Sequence, residues 1–315
     1  MLNWLVIGVG DITTKRVIPA IQQEPRSHLY GIVTRDPAKG RPYTENVWPD
    51  LARALYDPKI DAVYVASPVF LHAEQTIMAL RSGKHVLCEK PMAMNYEEAQ
   101  AMVEAAQVSG KTFGVAYYRR TYPAVQRAIQ LINAGVIGTP VLVEASAHSE
   151  LPIGPNFREW LVDPAKSGGG PLFDIGSHRI DLINYLFGQP IGVCAHLSNI
   201  IHNLDVEDSA TLITEYSTGV RSIVDVRWHC QTPRDEFRVT GTAGELNLTP
   251  LNSGRITFPG GEEHLPPPAN LHYGCIENFV KAALDGAPLL SSGATAIWTD
   301  WVTEQALATA SGEQH

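Results

Sequence analysis

The sequence is short of several things, and each shortage removes a class of function. No apolar run approaches the ~20 residues that a membrane-spanning helix needs. Lysine and arginine number 24 against 33 aspartates and glutamates, a net charge of -9. Nucleic-acid binding needs clustered positive charge, so a phosphate backbone is excluded as a partner. Only four cysteines occur, Cys88, Cys194, Cys230 and Cys275, scattered and without a CxxC pair. Neither a zinc site nor a disulfide framework is indicated, and the expectation is free thiols in a reducing cytosol. Eleven histidines are present without an HExxH spacing, so no metal is expected. The start, Met1 to Gly8, lacks a basic segment and a small-residue cleavage site, so no signal peptide is read and a cytoplasmic protein is expected. What is present is ample apolar material: 44% of 315 residues are hydrophobic and 18% charged, enough for one large or two ordinary domains with a real core.

The first 118 residues alternate strand and helix patterns. The apolar run Leu2 to Ile7 leads straight into Gly8-Val9-Gly10-Asp11-Ile12-Thr13 and then a helical pattern through Val17 and Ile21. A strand, a glycine turn and a helix N-terminus are what a pyrophosphate needs: Gly8 for the tight turn, Gly10 for close backbone approach, and free N–H groups at the helix start. Thr13 stands at the third glycine position, and Pro19 predicts a kink or a late helix start. Further strands are read at 28–33, 61–66, 85–88 and 111–116. A helix over 71–82 ends at Gly83. Another begins at Asn95, with Glu98 in capping-box register, and ends at Gly110. This alternation predicts a doubly wound parallel sheet, a Rossmann domain over 1–118. The second strand closes on Thr34-Arg35-Asp36-Pro37. Thr34 at the deciding position, with Arg35 beside it, favours NADP(H); the competing placement puts Asp36 on the ribose and gives NAD(H).

From 119 onward the pattern changes. A helix at 123–134 and a strand at 141–145 precede Gly168-Gly169-Gly170, read as a flexible approach to Asp174 and His178. A helix follows with Ile180, Ile183, Leu186 and Phe187 on its apolar face. Later runs at 211–216 and 220–228 read as a hairpin across Ser217-Thr218-Gly219, and 237–240 and 245–248 as further strands. Pro266-Pro267-Pro268 is a rigid connector, and helices at 273–284 and 294–310 close the chain. The expectation is an α+β domain over 119–315 with a mostly antiparallel open sheet.

Two stretches carry chemistry. Lys90, in Cys88-Glu89-Lys90-Pro91, follows an apolar strand and so sits at the carboxyl edge of the sheet, where such folds bind ligands. Asp174 and His178 are four residues apart at a helix start, so a carboxylate can orient and charge-stabilise an imidazole. The alternative is that Asp174 only caps the helix and His178 is a packed surface residue. Asp181, one turn on, either completes this network or is a solvated helix residue, the second reading being preferred.

With these stretches on the page, the chain resembles the glucose–fructose oxidoreductase / inositol dehydrogenase (Gfo/Idh/MocA) family. The resemblance rests on Gly8-Val9-Gly10, Ser67-Pro68 with His72, Glu89-Lys90-Pro91, Tyr118-Arg119-Arg120 with Pro123, and Asp174-Ile175-Gly176-Ser177-His178, in that order across nearly the whole length. Val69 stands where the family often has Asn, a departure at one cofactor contact. The resemblance implies reversible hydride transfer between a nicotinamide, at which the two stretches would meet, and a sugar, sugar derivative, cyclitol or dihydrodiol. It implies Lys90, Asp174 and His178 as catalytic, with Lys90 lowering the alcohol pKa and His178 moving the hydroxyl proton. Gly8, Gly10, Asp11, Ile12, Thr34, Arg35, Ser67, Pro68, His72, Glu89 and Lys90 would bind the cofactor. Tyr118 and Trp160, with Asp174 and His178, would line the substrate pocket. Two other readings stay open: a glycosidase with tightly held NAD, and a non-catalytic dinucleotide- or sugar-sensing regulator. The open sheet leaves a face to cover, so a homodimer or homotetramer is expected.

Overall fold

Runs that are apolar on both faces cannot lie at a surface, and they form the middle of the first unit's sheet, which has six strands. In the computed structural model, which describes residues 1–151, 153–154 and 157–310, these are β1 (Leu2–Ile7), β2 (Ser27–Val33), β3 (Val47–Trp48), β4 (Ala62–Val65), β5 (His85–Cys88) and β6 (Phe113–Val115). All pair in parallel, in the order β3-β2-β1-β4-β5-β6. The order reverses at β1, which opens a crevice at the carboxyl ends of β1 and β4. Strand β3 is an addition to the expected five. It is two residues long and carries no periodicity to read.

The helices begin and end where local chemistry dictates. Asn95 accepts from the Glu98 N–H at 2.8 Å, while the Glu98 carboxylate reaches back to the Met94 N–H at 3.1 Å. Gly110 closes that helix at φ 65°, and Gly83 follows the helix His72–Arg81 at φ 75°. The first helix begins at Asp11 and does not start late: residues Thr13–Val17 wind as a π-helix and Ile18–Gln23 continue it as an α-helix, with Pro19 in the first turn of the α-helical part. Thr13, at the third glycine position, is fully buried in the wider π turn.

Chain and unit do not coincide. The first unit comprises 1–118 together with 268–297, and the second 119–267 together with the chain from Trp298 on. The reading that gave the whole of 119–315 to one domain is corrected for the segment 268–297; residues 311–315 lie outside the described residues. The physical reason is packing. The helix Tyr273–Asp285 sends Ile276, Phe279 and Val280 into the core beside Trp4, Ile18 and Tyr64, each at most 1% exposed. Burying each such side chain is worth about 1.5–3 kcal/mol. The Phe279 ring lies 5.2 Å from that of Trp4. The chain crosses between units within the proline run, at Pro267–Pro268.

The second unit is built on an eight-stranded sheet. Its strands are β7 (Pro140–Glu150), β8 (Pro190–Ser198), β9 (Ser209–Tyr216), β10 (Arg221–Arg227), β11 (His229–Gly241), β12 (Gly244–Asn247), β13 (Arg255–Phe258) and β14 (Gly261–His264). The order is β14-β13-β12-β11-β7-β10-β9-β8, antiparallel throughout except for the β7–β10 pair. Alternation sorts the two faces. Val143, Ala145, Leu212, Val224, Val226, Phe237 and Val239 are buried. On the other face, cross-strand rows run Arg238–Glu144–Ile223–Ile213–Cys194 and Glu236–Ser146–Asp225–Thr211–His196. Asp225 accepts from Arg227 at 2.7 Å, Thr211 at 2.9 Å and His148 at 2.8 Å. Burial opposes its ionisation, but these partners prevail and hold its pKa at about 2.

Candidate active site

The first unit gathers its site residues at the carboxyl ends of β1, β4 and β5. Gly8 follows β1 at φ 91°, and a Cβ there would stand 2.8 Å from the Ala66 carbonyl oxygen. Only glycine fits without strain. A Cβ on Gly10 would meet nothing within 4 Å, so the turn opens on free space at the start of the helix that Asp11 begins. Asp11 and Ile12 are exposed, Asp11 pairing with Lys15 at 2.9 Å. The turn therefore fits a dinucleotide pyrophosphate: open backbone, a helix N-terminus and no side chain in the way.

At the end of β2, Thr34 donates its N–H to the Trp48 carbonyl at 3.0 Å. Asp36 is exposed, and one oxygen of its carboxylate caps the short helix Pro37–Gly40 through the Ala38 N–H at 3.1 Å. Arg35 is exposed and makes no ion pair among the described residues.

Two loops then meet on one imidazole. After β4 the chain runs Ser67-Pro68 into the turn Val69–Leu71, with Val69 buried. His72 is 1% exposed. Its Nε2 lies 2.9 Å from the Ser67 carbonyl and its Nδ1 2.9 Å from the Pro91 carbonyl. Burial pushes this imidazole below its ordinary pKa, against the two carbonyls that favour its charged form. Both nitrogens are thus engaged within the protein. His72 thereby braces the Lys90 loop against the turn after β4.

Lys90 follows β5, and the Lys90–Pro91 peptide is cis. Its backbone N–H donates to the Glu89 carboxylate at 3.3 Å. Glu89 is 8% exposed. It also accepts from the Tyr64 hydroxyl at 2.7 Å and from His272 Nε2 at 3.3 Å. The Tyr118 ring stacks on His272 with centroids 4.6 Å apart. Burial opposes the charge on Glu89. Hydrogen bonds from His272 and Tyr64 and the charge of Lys90 outweigh it and hold the carboxyl below its ordinary range. Tyr64 and His272 escape a sequence reading: one sits mid-strand, and the other is 183 residues from its partner.

In the second unit, Asp174 and His178 lie on consecutive turns, as the spacing predicts, but the first turn, Leu172–Gly176, is a π-helix and the α-helix is Ser177–Phe187. The carbonyls of this wide turn find side-chain donors: Ser177 reaches Phe173 O at 2.7 Å and Arg179 reaches Ile175 O at 3.3 Å. Arg179 is itself tied to Asp235 at 2.6 Å. His178 is 6% exposed and Asp174 partly so. The approach through Gly168–Gly170 is not slack, which corrects the flexible reading. A Cβ on Gly168 or Gly169 would strike the Phe173 ring at 2.7 or 2.5 Å, and one on Gly170 the Glu207 carbonyl at 2.0 Å. The Glu207 carboxylate accepts the Gly170 and Leu172 N–H groups at 2.9 and 3.0 Å.

Asp181 is not solvated. It is 1% exposed and holds the fully buried Arg120 in a bidentate pair at 2.9 and 2.6 Å, with the guanidinium 4.9 Å from the Tyr185 ring. Burial pushes the Asp181 carboxyl up despite Arg120. Trp160 joins a small cluster with Leu161, Val206 and Trp228, under Arg158 at 5.5 Å. Among the described residues no group of three or more acidic, His or Cys side chains is arranged for a metal, and no helix is long and apolar enough to cross a membrane.

A parallel sheet in this strand order, a glycine turn open at its crevice and a lysine at its carboxyl edge define a dinucleotide-fold oxidoreductase, and the chain belongs to the Gfo/Idh/MocA family. The profile of the oxidoreductase family with an NAD-binding Rossmann fold matches residues 2–117, and that of the Gfo/Idh/MocA C-terminal domain matches residues 125–247. Among relatives, the 1,5-anhydro-D-fructose reductase of Ensifer adhaerens is 29% identical over 95% of this chain and 93% of its own. A D-xylose 1-dehydrogenase (NADP(+)) of Haloferax volcanii is 29% identical over 80% of this chain and 79% of its own. The structure of levoglucosan dehydrogenase in complex with NADH superposes with a TM-score of 0.89 at 25% identity, covering 99% of this chain and 98% of that one.

Proposed function

We propose that this chain moves a hydride between NADP(H) and a hydroxyl- or carbonyl-bearing carbon of a sugar, sugar derivative, cyclitol or dihydrodiol. The observation that carries the reading is the Lys90 loop, fixed at the carboxyl edge of the sheet by Glu89 on one side and His72 on the other. When bound, the nicotinamide supplies the hydride chemistry, and the protein supplies position and proton handling. Backbone at Gly8, Gly10, Asp11 and Ile12 would receive the pyrophosphate, and Ser67, Pro68 and Glu89 would wall the nicotinamide end. The Lys90 ammonium would lower the pKa of the reacting hydroxyl. His178 would take or return its proton, and Asp174 would orient His178 and hydrogen-bond the substrate. Tyr118 and Trp160 would offer ring faces to the C–H-rich faces of a sugar.

The preference for NADP(H) rests on Thr34 and on Arg35, which is exposed and makes no ion pair among the described residues, with one oxygen of Asp36 used in capping. Of the relatives named above, the xylose dehydrogenase carries NADP(+) in its name and levoglucosan dehydrogenase was solved with NADH; titration decides. NADPH should bind at least about tenfold more tightly than NADH, roughly 1.4 kcal/mol, by fluorescence titration of cofactor-free protein. Arg35→Ala should erase the difference. NADH binding as tightly as NADPH would put another group on the ribose and remove this part of the reading.

The same reading includes a homodimer or homotetramer. The outer sheet face sets exposed Ile213 and Ile223 beside one another, in the row that also carries the Arg238–Glu144 ion pair, a pattern that can meet its own copy. Light scattering at micromolar concentration should return at least twice the chain mass; a monomer would count against it.

A further inference from the structure

His272 has no place in the roles proposed so far, yet its surroundings are built. The segment 268–297 brings it back to the first unit. It is 2% exposed, and Tyr118 covers its ring at 4.6 Å. Its Nε2 faces the Glu89 carboxylate at 3.3 Å, and facing an acceptor it must carry the proton. Its Nδ1 is buried with no hydrogen-bond partner among the described residues, so the bond to Glu89 is the ring's one polar contact. A buried ring that spends its only polar contact on one carboxylate is there for that carboxylate. Glu89 in turn accepts the Lys90 backbone N–H at 3.3 Å.

We propose that His272 is a positioning residue which, together with Tyr64, keeps Glu89 ionised and fixed so that Glu89 holds the Lys90 loop. The proposal rests on the dehydrogenase reading only in giving Lys90 its task. A carboxylate this buried loses its charge unless donors stabilise it. Two donors on one oxygen, from opposite ends of the chain, provide that stabilisation: Tyr64 from β4 and His272 from the returning segment. The charged and titratable groups facing this cluster are Lys90 and His72, which both act on Glu89 or feel it, and Cys88 and Cys275, which face Tyr64. None of these replaces a hydrogen bond from His272 to the carboxylate.

The sign follows from burial. With its donors, Glu89 stays ionised below the ordinary carboxylate range. Without His272 the burial penalty gains ground and the carboxyl takes up a proton at higher pH. The test uses the full chain labelled with ¹³C-carboxyl glutamate, the Glu89 signal being assigned by Glu89→Gln. His272→Phe keeps the ring against Tyr118 and removes the donor; His272→Gln restores one. Expected is an upward shift of the Glu89 midpoint by about one unit or more in His272→Phe and recovery of at least half of it in His272→Gln. The acid limb of kcat with a sugar substrate should move by the same amount, with KM within about twofold. An unmoved Glu89 midpoint in His272→Phe, or a glutamine variant that behaves like phenylalanine, overturns the proposal. A wild-type chain that turns over no sugar with either nicotinamide would sink the dehydrogenase reading instead, and the titration of Glu89 would still decide the role of His272.

Discussion

Replacing Lys90 by alanine should lower kcat by at least about tenfold to a hundredfold, and His178→Ala should do the same. The two substitutions remove different things. Lys90 is the charge set at the carboxyl edge of β5, and the loop that carries it has little freedom: Glu89 takes its N–H and His72 holds the carbonyl of the next residue. A loop fixed on both sides lets a flexible side chain start from a constant origin, and misplacement of a reacting group by about 1 Å can cost a factor of a hundred. Lys90→Arg is therefore no rescue; it keeps the charge but changes its shape and reach. His178 begins an α-helix directly after a π turn whose carbonyls are held by Ser177 and Arg179. Steady-state kinetics with a turned-over sugar measures both effects. Wild-type rates in both variants would remove the assignment of these residues.

The largest effect on stability should come from Asp181→Ala. Arg120 and Asp181 are both essentially inaccessible to water and joined by two short hydrogen bonds. Removing the carboxylate leaves a guanidinium buried without its counter-charge, which costs about 3–5 kcal/mol. The pair as a whole is another matter, because two charges taken out of water repay little of their desolvation. The double change Arg120→Met with Asp181→Leu should recover most of the loss. Denaturant unfolding followed by circular dichroism separates the cases. A single Asp181→Ala variant within about 1 kcal/mol of wild type would mean that water or another group reaches Arg120.

Local signals carried far along this chain and stopped where partners are distant. Strand β5, the Asn95 cap and the glycines at 83 and 110 are written in runs of a few residues, and the structure has them where the pattern puts them. Strand β3 has only Val47 and Trp48, too few for any period to show. Asp181 looks like an ordinary helix carboxylate because its arginine lies 61 residues earlier. His272 looks like a loop histidine because Glu89 lies 183 residues earlier. The three glycines before Asp174 look slack in the sequence; only the Phe173 ring and the Glu207 backbone reveal that they are there to make room. The candidate lysine, carboxylate and imidazole were legible because each sits at an element boundary that its own neighbours mark. The side chains that hold them were not, because tertiary packing alone brings them together.

The return of residues 268–297 to the first unit also bears on the order of events during synthesis. A ribosome delivers Trp4, Ile18 and Tyr64 early, but Ile276, Phe279 and Val280, which share their core, leave it only after the whole eight-stranded sheet has been made. The nucleotide-binding half is thus the first begun and among the last completed, and a chain cut short after residue 118 lacks the apolar helix its core was built to receive. Translation that stalls inside the second unit leaves the first one open.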